Sequence, residues 1–192
     1  MIKTENFEQV EVKSVAELRD WLLQNHNQKE SIWLLTYKKE VVDKYVSVQE
    51  VLDQLLCFGW IDGIRRKLDE TRTMQLISPR KVEHWAKTYK ERFSKLEALG
   101  LVHQAGFDSV SASKKAGLWD FMDDVDNLIV PTDLKNELNE NQTANQFFYY
   151  LSPSNKRFDL RYLKLAKTEK TRQKRIIEIV TLSAQNKKTP GL

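Results

Sequence analysis

Apolar positions recur along the chain with two periods, one of about 3.6 residues and one of about 2, and the switches between them mark out the elements. Ser14-Val15-Ala16-Glu17 opens a helix with a capping-box signature, in which the hydroxyl and the carboxylate serve each other's backbone N–H groups. Val15, Leu18, Trp21 and Leu22 then share one face, and the helix ends at Asn25. Residues 31–37 (SIWLLTY) are aromatic or branched on both faces, which predicts a central strand. Residues 38–44 form a charged connection. Ser47-Val48-Gln49-Glu50 repeats the capping signature ahead of the stripe Val48, Val51, Leu52, Leu55 and Leu56, and Gly59 closes that helix.

Two short strands follow, over 64–69 and 73–78, joined by the polar turn Asp69-Glu70-Thr71-Arg72, and Pro79 stops the second. Over 82–99, Trp85, Tyr89, Phe93, Leu96 and Leu99 return at helical spacing, and a shorter helix carries Phe107 and Val110 as far as Gly117. Residues 120–127 are acidic and weakly patterned, so they read as a connection. Beyond Pro131, a favoured first helical residue, every pattern is helical. Leu134 and Leu138 make one stripe, Ala144, Phe147, Phe148 and Leu151 another, and a last long stretch spans 160–184. The expected fold is α+β: a small antiparallel sheet packed with helices, followed by an all-helical C-terminal segment. The expected organisation is an α+β domain over 1–120, an acidic linker over 121–130, a helical region over 131–186 and a frayed tail over 187–192.

Size and composition narrow the picture. A chain of 192 residues with 41% hydrophobic content can bury a real core. The net charge of +4, with both signs interspersed, permits contact with phosphates or anionic lipid without requiring either. Nucleic acid is therefore a secondary expectation. Cys57 is the single cysteine and lies in an apolar run, which suits a core residue better than a nucleophile. Residues 1–13 lack an apolar stretch of the kind a secretory signal needs. No run approaches the roughly 18 apolar residues of a membrane span. A reducing cytoplasm is the expected compartment.

The sequence resembles the bacterial YdeI/OmpD-associated family, also called bacteriocin-protection proteins. The residues that carry the likeness are Trp33 to Lys38, Cys57-Phe58-Gly59-Trp60-Ile61-Asp62-Gly63, Ser78-Pro79-Arg80-Lys81, Ala105-Gly106-Phe107 and Pro131-Thr132-Asp133-Leu134, with a basic run from Ala166 to Ile176. The likeness spans about 21–180. Relatives show a Ser-x-Trp-Ser step after the Pro-Arg-Lys element, where this chain has Glu83-His84-Trp85-Ala86. The resemblance implies a small bacterial protein linked to tolerance of bacteriocins and envelope stress. It implies no particular reaction, cofactor or catalytic residue.

The densest chemistry lies between Leu55 and Trp85. Gly59 and Gly63 flank Trp60 and Asp62. They would let the chain turn sharply and set an indole beside a carboxylate, as an acid/base or a hydrogen-bond acceptor. The structural alternative is a helix cap with Trp60 as a core plug and Asp62 bonded to nearby backbone. Arg65, Arg66 and Lys67 on the first short strand and Arg80-Lys81 after the second could converge on an anion, or could be a solvated edge. The candidate ligand-binding residues are Tyr37, Lys38, Trp60, Asp62, Arg65, Arg80, Lys81 and Trp85, and the expected partner is a small anionic ligand or a protein. His26, His84 and His103 have no metal-binding spacing, and no phosphate or dinucleotide loop is present, so neither metal nor cofactor is expected. The basic stretch from Lys164 to Arg175 beside an aliphatic stripe could lie on nucleic acid or membrane, although a core-docked helix with a wet basic face is the commoner case. Oligomeric state is open.

Overall fold

The computed structural model describes residues 6–190. They divide into two compact units, one ending at Trp119 and the other starting at Asp120, each with its own apolar core. The fold is α+β.

In the first unit, four strands form one sheet in the order β1-β2-β4-β3. They are β1 (Gln9–Glu11), β2 (Ile32–Tyr37), β3 (Trp60–Lys67) and β4 (Arg72–Pro79). The pairs β2·β4 and β3·β4 are antiparallel, as expected, but β1 runs parallel to β2. The sheet is therefore mixed. Three residues with a single apolar member, Val10, carry too short an alternation for β1 to show in the sequence.

Helix α1 (Val15–Asn25) is capped by Ser14, whose hydroxyl accepts from the Glu17 N–H at 3.1 Å. Helix α2 (Val48–Cys57) starts with the complete box, Ser47 and Glu50 each bonding the other's backbone. Gly59 (φ +70°) turns the chain straight into β3. The Trp60–Gly63 segment, expected in a turn, is therefore extended strand, because the single left-handed residue completes the reversal.

Helix α3 (Lys87–Ala98) begins later than the periodicity predicts. Trp85 is fully buried ahead of it, so residues 81–86 are committed to seating that indole. Helix α4 (Gln104–Lys115) packs so closely on the end of α2 that a Cβ on Gly106 would lie 2.5 Å from the Cys57 carbonyl oxygen. Cys57 itself is buried, and burial pushes its thiol pKa up. The core gathers Leu18 and Leu22 from α1, Val51, Leu55 and Leu56 from α2, and Ile32, Leu34, Trp60 and Ile77 from the sheet.

The second unit is helical: α5 (Asp123–Asp126), α6 (Thr132–Asn139), α7 (Gln142–Tyr150), α8 (Pro153–Lys164) and α9 (Glu169–Ala184). The acidic stretch read as a connection contains a helical turn, whose Val125 is buried in the core of this unit. The stretch over 160–184 is two helices, broken where Thr168 caps α9 through the Thr171 N–H at 3.1 Å. Residues 187–190 carry no regular structure, and the remainder of the expected tail lies outside the described residues. Among the described residues, no helix is long and apolar enough to cross a membrane.

Candidate functional site

Strict alternation along β3 would send Asp62 and Arg65 to opposite faces. A register shift between them prevents this: Asp62 faces Ile77 across the ladder, whereas Arg65 faces Gln75. The extra residue, a bulge at Gly63-Ile64, brings the carboxylate and the guanidinium onto one face. It is the face of Ile32, Leu34 and Ile77, which the core covers. A polar strip thus continues from the apolar end of the sheet, comprising Asp62, Gln75, Arg65, Thr73 and Thr36.

Each member has partners. Asp62 Oδ1 accepts from the Tyr89 hydroxyl of α3 at 2.8 Å, and Oδ2 accepts from Gln75 Nε2 at 3.5 Å. Arg65 donates from Nη2 to the hydroxyls of Thr73 (2.9 Å) and Thr36 (3.3 Å), and from Nε to Thr73 (3.3 Å). Its Nη1 is buried with no acceptor. Burial and the bond to Asp62 push the Tyr89 phenol up to about 12.

Arg80 leaves the end of β4 anchored by its N–H to the Gly59 carbonyl at 2.9 Å. Its side chain is only 3% exposed. The guanidinium carbon lies 3.9 Å from the centre of the Trp85 ring and 5.4 Å from that of Tyr89. Nη2 reaches Glu83 Oε1 at 3.6 Å, a loose ion pair, while Nε and Nη1 are buried with no acceptor. Desolvation lowers the Arg80 pKa, opposed by the charges of Glu83, Tyr89 and Asp62. Two aromatic faces offset part of the cost of this burial, since a desolvated cation–π contact contributes about 2 kcal/mol.

The remaining predicted residues go elsewhere. Trp60 is fully buried and donates from Nε1 to the His26 carbonyl at 3.1 Å, so it plugs the core. Trp85 is also buried, with Nε1 on the Ser113 hydroxyl at 3.0 Å, but it underlies Arg80. Tyr37 lies on the opposite sheet face, where its hydroxyl bonds Glu11, itself paired with Arg72 at 2.9 Å. Lys38 donates to the Glu70 carbonyl at 2.8 Å beside the hairpin turn, and Lys81 is exposed. Arg66 stacks over Trp33, 5.3 Å from its ring centre, and Lys67 pairs with Glu70. The structure therefore joins Asp62, Arg80 and Trp85 around Tyr89, sets Arg65 further along the same sheet face on Thr36 and Thr73, and separates Tyr37, Lys38 and Trp60 from them. Sequence reasoning missed Tyr89, Gln75, Thr73 and Thr36. The one available signal was the hydroxyl at Thr36 inside an otherwise apolar strand.

The chain belongs to the family described as a domain of unknown function (DUF8412), whose model matches residues 10–109. Residues 127–186 match the family model described as bacteriocin-protection, YdeI or OmpD-associated. That resemblance is thus confirmed over the C-terminal helices, while the Gly59–Gly63 and Pro79-Arg80-Lys81 elements fall inside the other model's span. No curated protein and no solved structure matches the chain.

Proposed function

We propose that the N-terminal unit binds a small anion, a phosphate or carboxylate group, through Arg80, and that the chain serves as a binding protein in the tolerance of bacteriocins that the description of the model matching its C-terminal helices names. The observation that carries this reading is the pair of buried Arg80 guanidinium nitrogens without an acceptor, Nε and Nη1; further along the same sheet face Arg65 Nη1 is left likewise. Buried donors are nearly always satisfied, and charged ones gain most from an ionised acceptor. Glu83, 40% exposed and 3.6 Å from Arg80, is the loosest cover of the cluster. An incoming anion replaces the Glu83 carboxylate and enters from that side. Asp62 as an acid/base in an enzyme is the weaker reading, because both of its oxygens are already engaged. A cytoplasmic location is part of the proposal.

The test is a thermal-shift series with inorganic phosphate, citrate and short oligonucleotides. A ligand present at 100 times its dissociation constant adds about 2.7 kcal/mol to the stability of the folded state. Shifts with phosphate or citrate that vanish in Arg80→Met support the reading. Shifts confined to oligonucleotides would move the activity to the basic helices α8 and α9, and no shift with any of these probes would leave a protein partner as the remaining candidate.

A further inference from the structure

Arg80 and Glu83 share the irregular stretch that links β4 to α3, and that stretch is anchored at both ends. The Arg80 N–H bonds the Gly59 carbonyl at 2.9 Å, and the buried Trp85 indole bonds the Ser113 hydroxyl at 3.0 Å. Glu83 lies between the anchors with its side chain 40% exposed, over an arginine side chain that is 3% exposed. Its carboxylate meets Arg80 at Nη2, at 3.6 Å, which is too long for a hydrogen bond.

A guanidinium receives a carboxylate two-pronged along either of two edges, Nε with Nη2 or Nη1 with Nη2. Nη2 belongs to both edges, so a single Glu83 oxygen beside it obstructs both and leaves Nε and Nη1 as the buried donors without acceptors. A carboxylate that takes this place and lies in the guanidinium plane makes two bonds where Glu83 makes none, and leaves one nitrogen unserved instead of two. Charge selects the class of anion. Tyr89 donates to Asp62 Oδ1 at 2.8 Å while its ring centre lies 5.4 Å from the Arg80 guanidinium carbon, so the Asp62 carboxylate belongs to the same cluster. With Glu83 turned out to solvent, the positive charge of Arg80 faces the negative charge of Asp62. A monoanion meets less repulsion there than a dianion. Size acts in the same sense, because the place vacated is that of a carboxylate.

Resting on the anion-binding reading of Arg80, we propose that Glu83 is a built-in competitor of this site and that the ligand it yields to is a small monocarboxylate. Proton–nitrogen correlation NMR of the full chain, following the Arg80 Nε–H signal, tests this with acetate and with sulfate at neutral pH and constant ionic strength. Acetate shifts the signal saturably and binds more tightly than sulfate. Glu83→Ala, at a partly exposed position, tightens acetate about two- to fivefold, the factor by which a partly exposed ion pair competes. In Arg80→Met the titration is read at the Trp85 indole N–H and shows no saturable shift. Sulfate binding as tightly as acetate, or acetate affinity unchanged or weaker in Glu83→Ala, overturns this inference and leaves anion binding at Arg80 in place. An Arg80 signal that answers neither anion, in wild type or in Glu83→Ala, overturns the anion reading and this inference together.

Discussion

Arg80 and Trp85 form a unit in which a nearly fully buried guanidinium lies 3.9 Å from the centre of an indole that is itself excluded from solvent. The short segment between them folds back to make the contact, and this delays the start of α3 to Lys87. A buried cation with two nitrogens lacking acceptors is a poor stabiliser. The desolvation of an ion costs several kcal/mol, and well-packed apolar replacements of similar size are often neutral or favourable.

Stability and binding should therefore separate at this position. Arg80→Met keeps most of the volume and removes the charge, so the unfolding free energy stays within about 1 kcal/mol of wild type or rises. Arg80→Ala opens a cavity beside Trp85 and costs about 2–5 kcal/mol. Urea denaturation of the two variants measures the difference. A large loss in Arg80→Met would mean that the charge itself holds the fold, contrary to the ligand reading.

The contact of α4 with the end of α2 gives a second expectation. A methyl group at Gly106 would sit 2.5 Å from the Cys57 oxygen and 2.9 Å from Val102 Cγ1. Neither the Cys57 backbone nor the helix can give way cheaply. Gly106→Ala should cost about 1–3 kcal/mol, the usual range for overpacking, despite the better helix propensity of alanine. A melting temperature at or above that of wild type would show that the two helices slide apart freely.

The helix starts at Ser14 and Ser47 were legible because an N-cap is a local pattern, fixed by four consecutive residues, although only Ser47 forms the full box and the Glu17 carboxylate accepts from the Lys13 N–H instead of that of Ser14. The central strand β2 was legible because it is apolar on both faces. The C-terminal family could be read from Pro131 to Leu134 and the basic run to Ile176. What escaped depends on neighbours distant in sequence. β1 exists through its register with β2, and the bulge that unites Asp62 with Arg65 is set by the ladder to β4. Tyr89 looks like one more member of a helical apolar stripe, and only the arrival of Asp62 from β3 gives its hydroxyl a partner.

His103 caps α4 with a lone pair: its Nδ1 accepts from the Ala105 N–H at 3.2 Å. Burial, the neighbouring His26 ring 4.7 Å away and the charge of Arg19 lower its pKa below the ordinary 6.5, with Asp108 opposing. The unfolded chain thus holds this proton more tightly than the folded one. The cap is fully present above pH 6.5 and is lost as the pH falls below it. The loss should reach about 1 kcal/mol, the value of a typical N-cap. In His103→Asn, which keeps an acceptor that does not titrate, the difference in unfolding free energy between pH 7 and pH 5 should shrink by that amount. An unchanged difference would place the pH dependence elsewhere.

Tyr89 makes the opposite prediction at high pH. Desolvation and the carboxylate of Asp62 hold its phenol protonated up to about 12, against 10.0 for an ordinary tyrosine. The unfolded chain loses this proton first, so the stability tied to the Tyr89–Asp62 bond is present below pH 10 and disappears as the pH rises from 10 towards 12. Ultraviolet titration of the folded protein should show a late phenolate component that is missing from Tyr89→Phe. Near neutral pH the same variant leaves the Asp62 carboxylate short of one donor, at a cost of about 1–3 kcal/mol. Should Tyr89→Phe be as stable as wild type at pH 7, the carboxylate must already be served from elsewhere. The present geometry argues against such a third donor, since Tyr89 and Gln75 are the side chains on its two oxygens.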